Sequence, residues 1–144
     1  MKIIEIINQS SEPLISYEII PPFRGRSADH VYSIIDELIE CHPPFIDVTS
    51  HSAEPIYLEQ VDGSFKRKLQ RKRPGTIGLC AAIKYKYNIE AVPHILCKGF
   101  TRQETEDALI ELNYLGIDNI LAITGDGNHK TMGGTYEKHI NTYS

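Results

Sequence analysis

With 144 residues, 41% of them hydrophobic, the chain has the size and apolar content of one domain with one core. Its 15 basic and 19 acidic residues leave a net charge of −4, which argues against a general nucleic-acid binder. No apolar run approaches the roughly 20 residues of a membrane helix, and Cys41, Cys80 and Cys97 form no C-x-x-C pair, so neither a disulfide framework nor a zinc knuckle is supported. A reducing, cytoplasmic compartment is expected.

The N-terminal MKIIEIINQS lacks the apolar core and cleavage site of a signal peptide. Ile3, Ile4, Ile6 and Ile7 fit one short amphipathic helix packed on a core. Ile15, Tyr17, Ile19 and Ile20 then read as a short apolar strand between Pro13 and Pro21-Pro22, which cannot continue a ladder. Glu18 lies inside that run. In a strand buried on both faces, its carboxylate needs a partner, or it holds its proton and becomes a usable acid.

Ser27 is placed to cap a helix over about 28–41, whose stripe is Val31, Ile34, Ile35, Leu38 and Ile39 and whose stop is Pro43-Pro44. Phe45–Thr49 is the second strand, and strand–helix–strand in this span predicts a right-handed parallel βαβ unit. Residues 56–73 alternate around Asp62-Gly63, a hairpin signal. Six of the eight residues from Lys66 to Arg73 are basic, but no aromatic stacking pattern accompanies them, so a solvated strand face is expected.

A second helix follows Pro74-Gly75-Thr76, with Ile77, Cys80, Ala81 and Lys84 on one side. Ala91–Cys97 is the third strand, with Pro93 expected at its beginning. Thr101 and Glu104 form a capping box for a third helix with Ala108, Leu109, Leu112 and Leu115 as its stripe and Gly116 beyond its end. The fourth strand runs from Ile120 to Gly125-Asp126. Residues 127–144 carry no apolar run and read as a loop or disordered tail. Four βα strands fit either a small doubly wound sheet or the first half of a (βα)₈ barrel, which takes eight units and about 250 residues.

In both architectures ligands bind at the carboxyl ends of the parallel strands. The polar groups there are Glu18, then Thr49, Ser50 and His51, then His94, then Thr124, Gly125 and Asp126. Each has a plain alternative: Glu18 pairing with a core cation, His94 hydrogen-bonded in the core, Gly125-Asp126-Gly127 as an ordinary turn. No ligand spacing supports a metal site, and no Walker or G-x-G-x-x-G loop is present.

Four stretches in order resemble the methylenetetrahydrofolate reductase family: Tyr17–Pro22, Phe45–Thr49, Val92–Cys97, and Leu115–Ala122 running into Gly125-Asp126. The resemblance implies an α/β fold of (βα)₈ TIM-barrel type, of which residues 1–126 hold the first four βα units with an inserted hairpin. It implies an oxidoreductase in which NADH or NADPH reduces FAD, and the flavin reduces 5,10-methylenetetrahydrofolate to 5-methyltetrahydrofolate in one-carbon metabolism and methionine biosynthesis. By position, Glu18 would be the general acid and Asp126 would bond the pterin beside the flavin. Ser50, Ser52, His94, Thr124 and Gly125 would contact FAD, with Thr49 near the nicotinamide. Thr124 stands where the family usually has arginine, and Ser50 where an aromatic often follows the threonine. A folate substrate, no membrane or nucleic-acid partner, and a homo-oligomer at full length complete the expectation. The isolated half-barrel is expected to be inactive, and the alternative is a non-catalytic flavin- or nucleotide-binding module.

Overall fold

The computed structural model describes residues 1–125. In chain order these form α1 (Ile3–Gln9), β1 (Tyr17–Ile19), α2 (Asp29–Leu38), β2 (Phe45–Val48), β3 (Glu54–Glu59), β4 (Phe65–Gln70), α3 (Thr76–Tyr87), β5 (Glu90–Leu96), α4 (Arg102–Tyr114) and β6 (Leu121–Ile123). Four strands make one parallel sheet in the order β1-β2-β5-β6, while β3 and β4 pair only with each other as an antiparallel hairpin. With the hairpin set aside, neighbours in space are neighbours in the chain. Among the described residues the sheet therefore shows no strand-order reversal of the doubly wound kind, and it is consistent with part of an α/β barrel.

Alternation along the strands separates two faces. Ile19, Ile46, Val48, Ala91 and Ile95 point to the helices and form the core with Val31 and Ile35 of α2, Leu79, Cys80 and Ile83 of α3, and Ala108 and Leu112 of α4. The strand register puts Glu18 beside Asp47, Asp47 beside Val92, and His94 beside Leu121, all on the opposite, inner face. That face is the polar one.

The helix ends follow their sequence signals. In α4 the Thr101 hydroxyl accepts from Glu104 N at 3.1 Å, and the Glu104 carboxylate accepts from Thr101 N at 2.8 Å. Gly116, at φ +61°, donates to Asn113 O and Ile117 N donates to Leu112 O, a Schellman ending that a side chain at 116 would strain. Helix α2 is shorter than its apolar pattern predicts: a 3₁₀ turn covers Ile39–Cys41, and His42 in the left-handed region ends it before Pro43. Ser27 lies one residue outside the cap position, its hydroxyl accepting from Asp29 N at 3.1 Å.

Four expectations are corrected. Helix α1 is not packed on the core: none of its residues is buried, and Ile4 and Ile7 are exposed. Glu18 is not enclosed by apolar neighbours; its side chain is 58% exposed, because only the helix-facing side of β1 is covered. Pro93 lies in the middle of β5, where pairing with β2 ends at Val48 and pairing with β6 begins at His94. Leu109 is 43% exposed, and the residues that α4 buries are Ala108 and Leu112.

The basic run also divides. Its strand part, Lys66–Leu69, is exposed, as a solvated face should be. Its end is a latch: Arg73 donates to Pro21 O at 2.6 Å and stacks on Phe23, while Arg71 stacks on Phe100 and pairs with Glu104 at 3.0 Å. Arg24 N closes the latch onto Lys72 O. At the opposite end of the sheet, Glu90 is held by the N-terminal ammonium at 2.6 Å and by Lys84 at 3.0 Å. Burial alone would raise the Glu90 carboxyl; those two cations outweigh it and hold it below its usual range.

Candidate functional site

The carboxyl ends of the parallel strands open into a cleft of about 670 Å³. Glu18 of β1, the segment Thr49–Ser52 after β2, His94 of β5 and Gly125 after β6 supply its polar lining, with Leu96, Leu121 and Ile123 as an apolar wall. Backbone bonds set this rim. Thr49 N donates to Ile19 O at 2.9 Å, and the Thr76 hydroxyl donates to Thr49 O at 2.9 Å, tying the start of α3 to the end of β2. Cys97 N and Lys98 N donate to Ile123 O and Thr124 O, carrying the β5–β6 ladder to Gly125.

His94 is 4% exposed, yet its Nε2 has no hydrogen-bond partner. Glu18 Oε2 lies 3.7 Å from it, too far for a hydrogen bond. Thr49 Oγ1 and His51 Nδ1 are likewise buried without partners. Buried polar atoms are nearly always paired, so three orphans around one cleft mark a site built for polar groups of a ligand. The Glu18–His94 contact passes over β2, the strand between them.

Of the residues expected at the site, Glu18, Thr49, Ser50, Ser52, His94 and Gly125 meet at this cleft. Thr124, just past the end of β6, is exposed, its carbonyl accepting from Lys98 N. Asp126 and the predicted tail 127–144 lie outside the described residues. Gly125 takes φ +79°, a conformation that favours glycine. Ser50 and His94 also line a second cleft of about 630 Å³, between α3, α4 and Arg71.

One further acidic group near the site lies within the Phe45–Thr49 stretch. Asp47 faces the same side of the sheet as Glu18 and is its partner in the strand register. Burial pushes its carboxyl above the usual aspartate value; the His94 charge and a hydrogen bond from Ser16 pull it back, and Glu18 pushes it further up. The signal was present as parity, since Asp47 is two residues before Thr49 and in register with Glu18. Beneath it, burial drives the Cys80 thiol up to about 12, with the Asp47 charge adding, so Cys80 is an inert core residue.

The family model described as Methylenetetrahydrofolate reductase matches residues 2–142. The chain belongs to the methylenetetrahydrofolate reductase family. Curated relatives of this reductase-family chain agree in name. It is 25% identical over 135 residues to a "Probable methylenetetrahydrofolate reductase (NADH)" of Oryza sativa subsp. japonica, covering 90% of the chain and 20% of the relative. It is 27% identical over 129 residues to the 5,10-methylenetetrahydrofolate reductases of Pectobacterium carotovorum and Salmonella typhimurium, covering 85% of the chain and 37% and 38% of those proteins. The chain thus spans between a fifth and two fifths of the length of these relatives. Among the described residues, no helix is long and apolar enough to cross a membrane.

Proposed function

We propose that this reductase-family chain is the first half of a (βα)₈ barrel that reduces 5,10-methylenetetrahydrofolate to 5-methyltetrahydrofolate, with NADH or NADPH as hydride donor and FAD as carrier. The observation that carries the reading is the inner-face cleft, in which Glu18 meets three buried, unpartnered polar atoms of Thr49, His51 and His94. Those orphans suit the many acceptors and donors of a flavin, and Leu96, Leu121 and Ile123 suit its ring face. When bound, FAD supplies the hydride chemistry.

The chain's own residues supply orientation and protons. Ser50, Ser52, His94 and Gly125 hold the flavin with Thr124 at the edge, and Thr49 lies by the nicotinamide. Glu18 protonates the folate amine and promotes opening to the iminium that accepts hydride. Exposure of Glu18 changes the reason for its competence: a bound ligand, not an apolar strand, would withdraw it from water. Asp126 bonds the pterin. Ile20 and Leu121, exposed on or beside the inner face, are surfaces that the barrel's further units would cover. Full-length chains act as homo-oligomers in the cytoplasm, within one-carbon metabolism and methionine biosynthesis.

Titrating FAD with the chain and following flavin fluorescence tests the cleft. Saturable quenching that weakens in His94→Ala is expected; no saturable change in the wild type would remove the flavin reading. In a barrel carrying the further βα units, Glu18→Gln should nearly abolish folate reduction and leave flavin reduction by the nicotinamide largely intact. Equal loss of both would count against the role of Glu18.

A further inference from the structure

The polar pattern of the inner face does not end at the rim. Glu18 and Asp47 are partners in the register of β1 and β2, so two carboxyl groups stand side by side on strands about 4.8 Å apart. Their surroundings differ. Glu18 is largely exposed and lines the cleft, whereas Asp47 is half-buried and does not line it. His94 approaches Glu18 from the far side of β2, and its charge also reaches Asp47.

We propose that Asp47 is a positioning residue that shares a proton with Glu18, so that an acid remains available at the rim when a ligand shuts the cleft off from water. The inference rests on the reading of Glu18 as the group that protonates the substrate. Each reduction of the folate consumes one proton there. With the cleft filled, Glu18 loses direct contact with solvent, and its neighbour on β2 is the nearest carboxyl group. The transfer breaks the O–H bond of the Asp47 carboxyl and forms one on a Glu18 oxygen. The negative charge moves to Asp47, where the His94 imidazole and the Ser16 hydroxyl receive it. Ser16 is itself exposed, and links Asp47 to solvent for the return of the proton.

The groups facing Asp47 are few. Ser16 and Glu18 come from β1 and its approach and His94 from β5, while the neutral Cys80 thiol of α3 lies across the sheet in the core. Two adjacent carboxyl groups cannot both ionise without mutual cost, and the Glu18 charge pushes the Asp47 carboxyl further up. Burial already disposes Asp47 to be the member that keeps the proton.

Site-resolved carbon-13 NMR titration of the Asp47 and Glu18 carboxyl groups in the chain tests this without flavin or folate. The Asp47 midpoint should lie above that of an ordinary aspartate, should move down in Glu18→Gln, and should move up in His94→Gln. Glu18→Gln changes an exposed side chain, and an unchanged amide spectrum verifies that the fold persists. An Asp47 midpoint at or below the ordinary value, or one indifferent to Glu18→Gln, would overturn the proposal. Loss of flavin binding with the coupled titration intact would instead strike the functional reading and spare the carboxyl pair.

Discussion

Leu109 and Leu112 look alike in the apolar stripe of α4, yet they differ sharply in what their truncation should cost. Leu112 is 1% exposed and packed in the core, whereas Leu109 is 43% exposed. Leu→Ala removes three carbons, worth about 2.4 kcal/mol in transfer free energy when all are buried. A rigid neighbourhood adds a cavity term, and fully buried sites reach about 2.7–5 kcal/mol. Leu112 is enclosed by the sheet, α3 and its own helix, so Leu112→Ala should cost about 3 kcal/mol. Leu109→Ala forfeits only part of the transfer term and leaves no cavity, so roughly 1 kcal/mol or less is expected. Urea denaturation of both variants, read at constant m, gives the comparison directly. Equal losses would refute the placement of α4, because they would mean that both residues face the core.

Glu90→Gln should destabilise the chain by about 1–2 kcal/mol at neutral pH, because Lys84 is left half-buried without its anion. The wild-type Glu90 carboxyl lies below its usual range, so this contribution is present above the unfolded value and disappears as pH falls through the folded one. The two proteins should converge in acid, as thermal melts across pH would record; a constant gap would exclude the ion pair as the cause. Gly99→Ala places a Cβ 2.7 Å from Leu96 Cδ1, 2.7 Å from Ser52 Oγ and 2.9 Å from Leu96 Cβ. Either Leu96 or Ser52 must move, so a loss of about 1–3 kcal/mol and weaker ligand binding at the rim are expected, and full stability in a melt would disprove that contact. Thr124→Arg restores a cation beside the cleft and should tighten FAD binding in the fluorescence titration. An unchanged affinity would mean that the edge position does not reach the ligand.

Much of the fold was legible because the signals are local. The capping box of Thr101 and Glu104, the glycine at 116 and the Asp62-Gly63 turn each act within a few residues, and each appears in the structure where its chemistry requires. The strands were legible as apolar runs, and their end-of-strand polar residues as a rim. Pattern alone could not choose between a doubly wound sheet and an α/β barrel segment, because both use the same βα unit. The order β1-β2-β5-β6 is consistent with part of an α/β barrel, and it depends on contacts between residues distant in the chain.

The candidate site divides in the same way. Glu18, Thr49 and His94 are identifiable from their place at strand ends, and that much follows from the chain alone. Their environments are not. Glu18 lies in an apolar run, but a strand has two faces, and the helices α2, α3 and α4 cover only the one that bears Ile19. Burial is a property of what packs against a residue, so the exposure of Glu18 and the enclosure of His94 and Asp47 emerge only when the sheet is assembled. The same assembly brings Glu18 to His94 across β2 and sets Asp47 beside it. The sequence by itself determined which groups reach the rim of the sheet; the tertiary structure decided which of them are neighbours and which are buried, because distance and solvent exposure depend on packing, and neither is written in the order of residues.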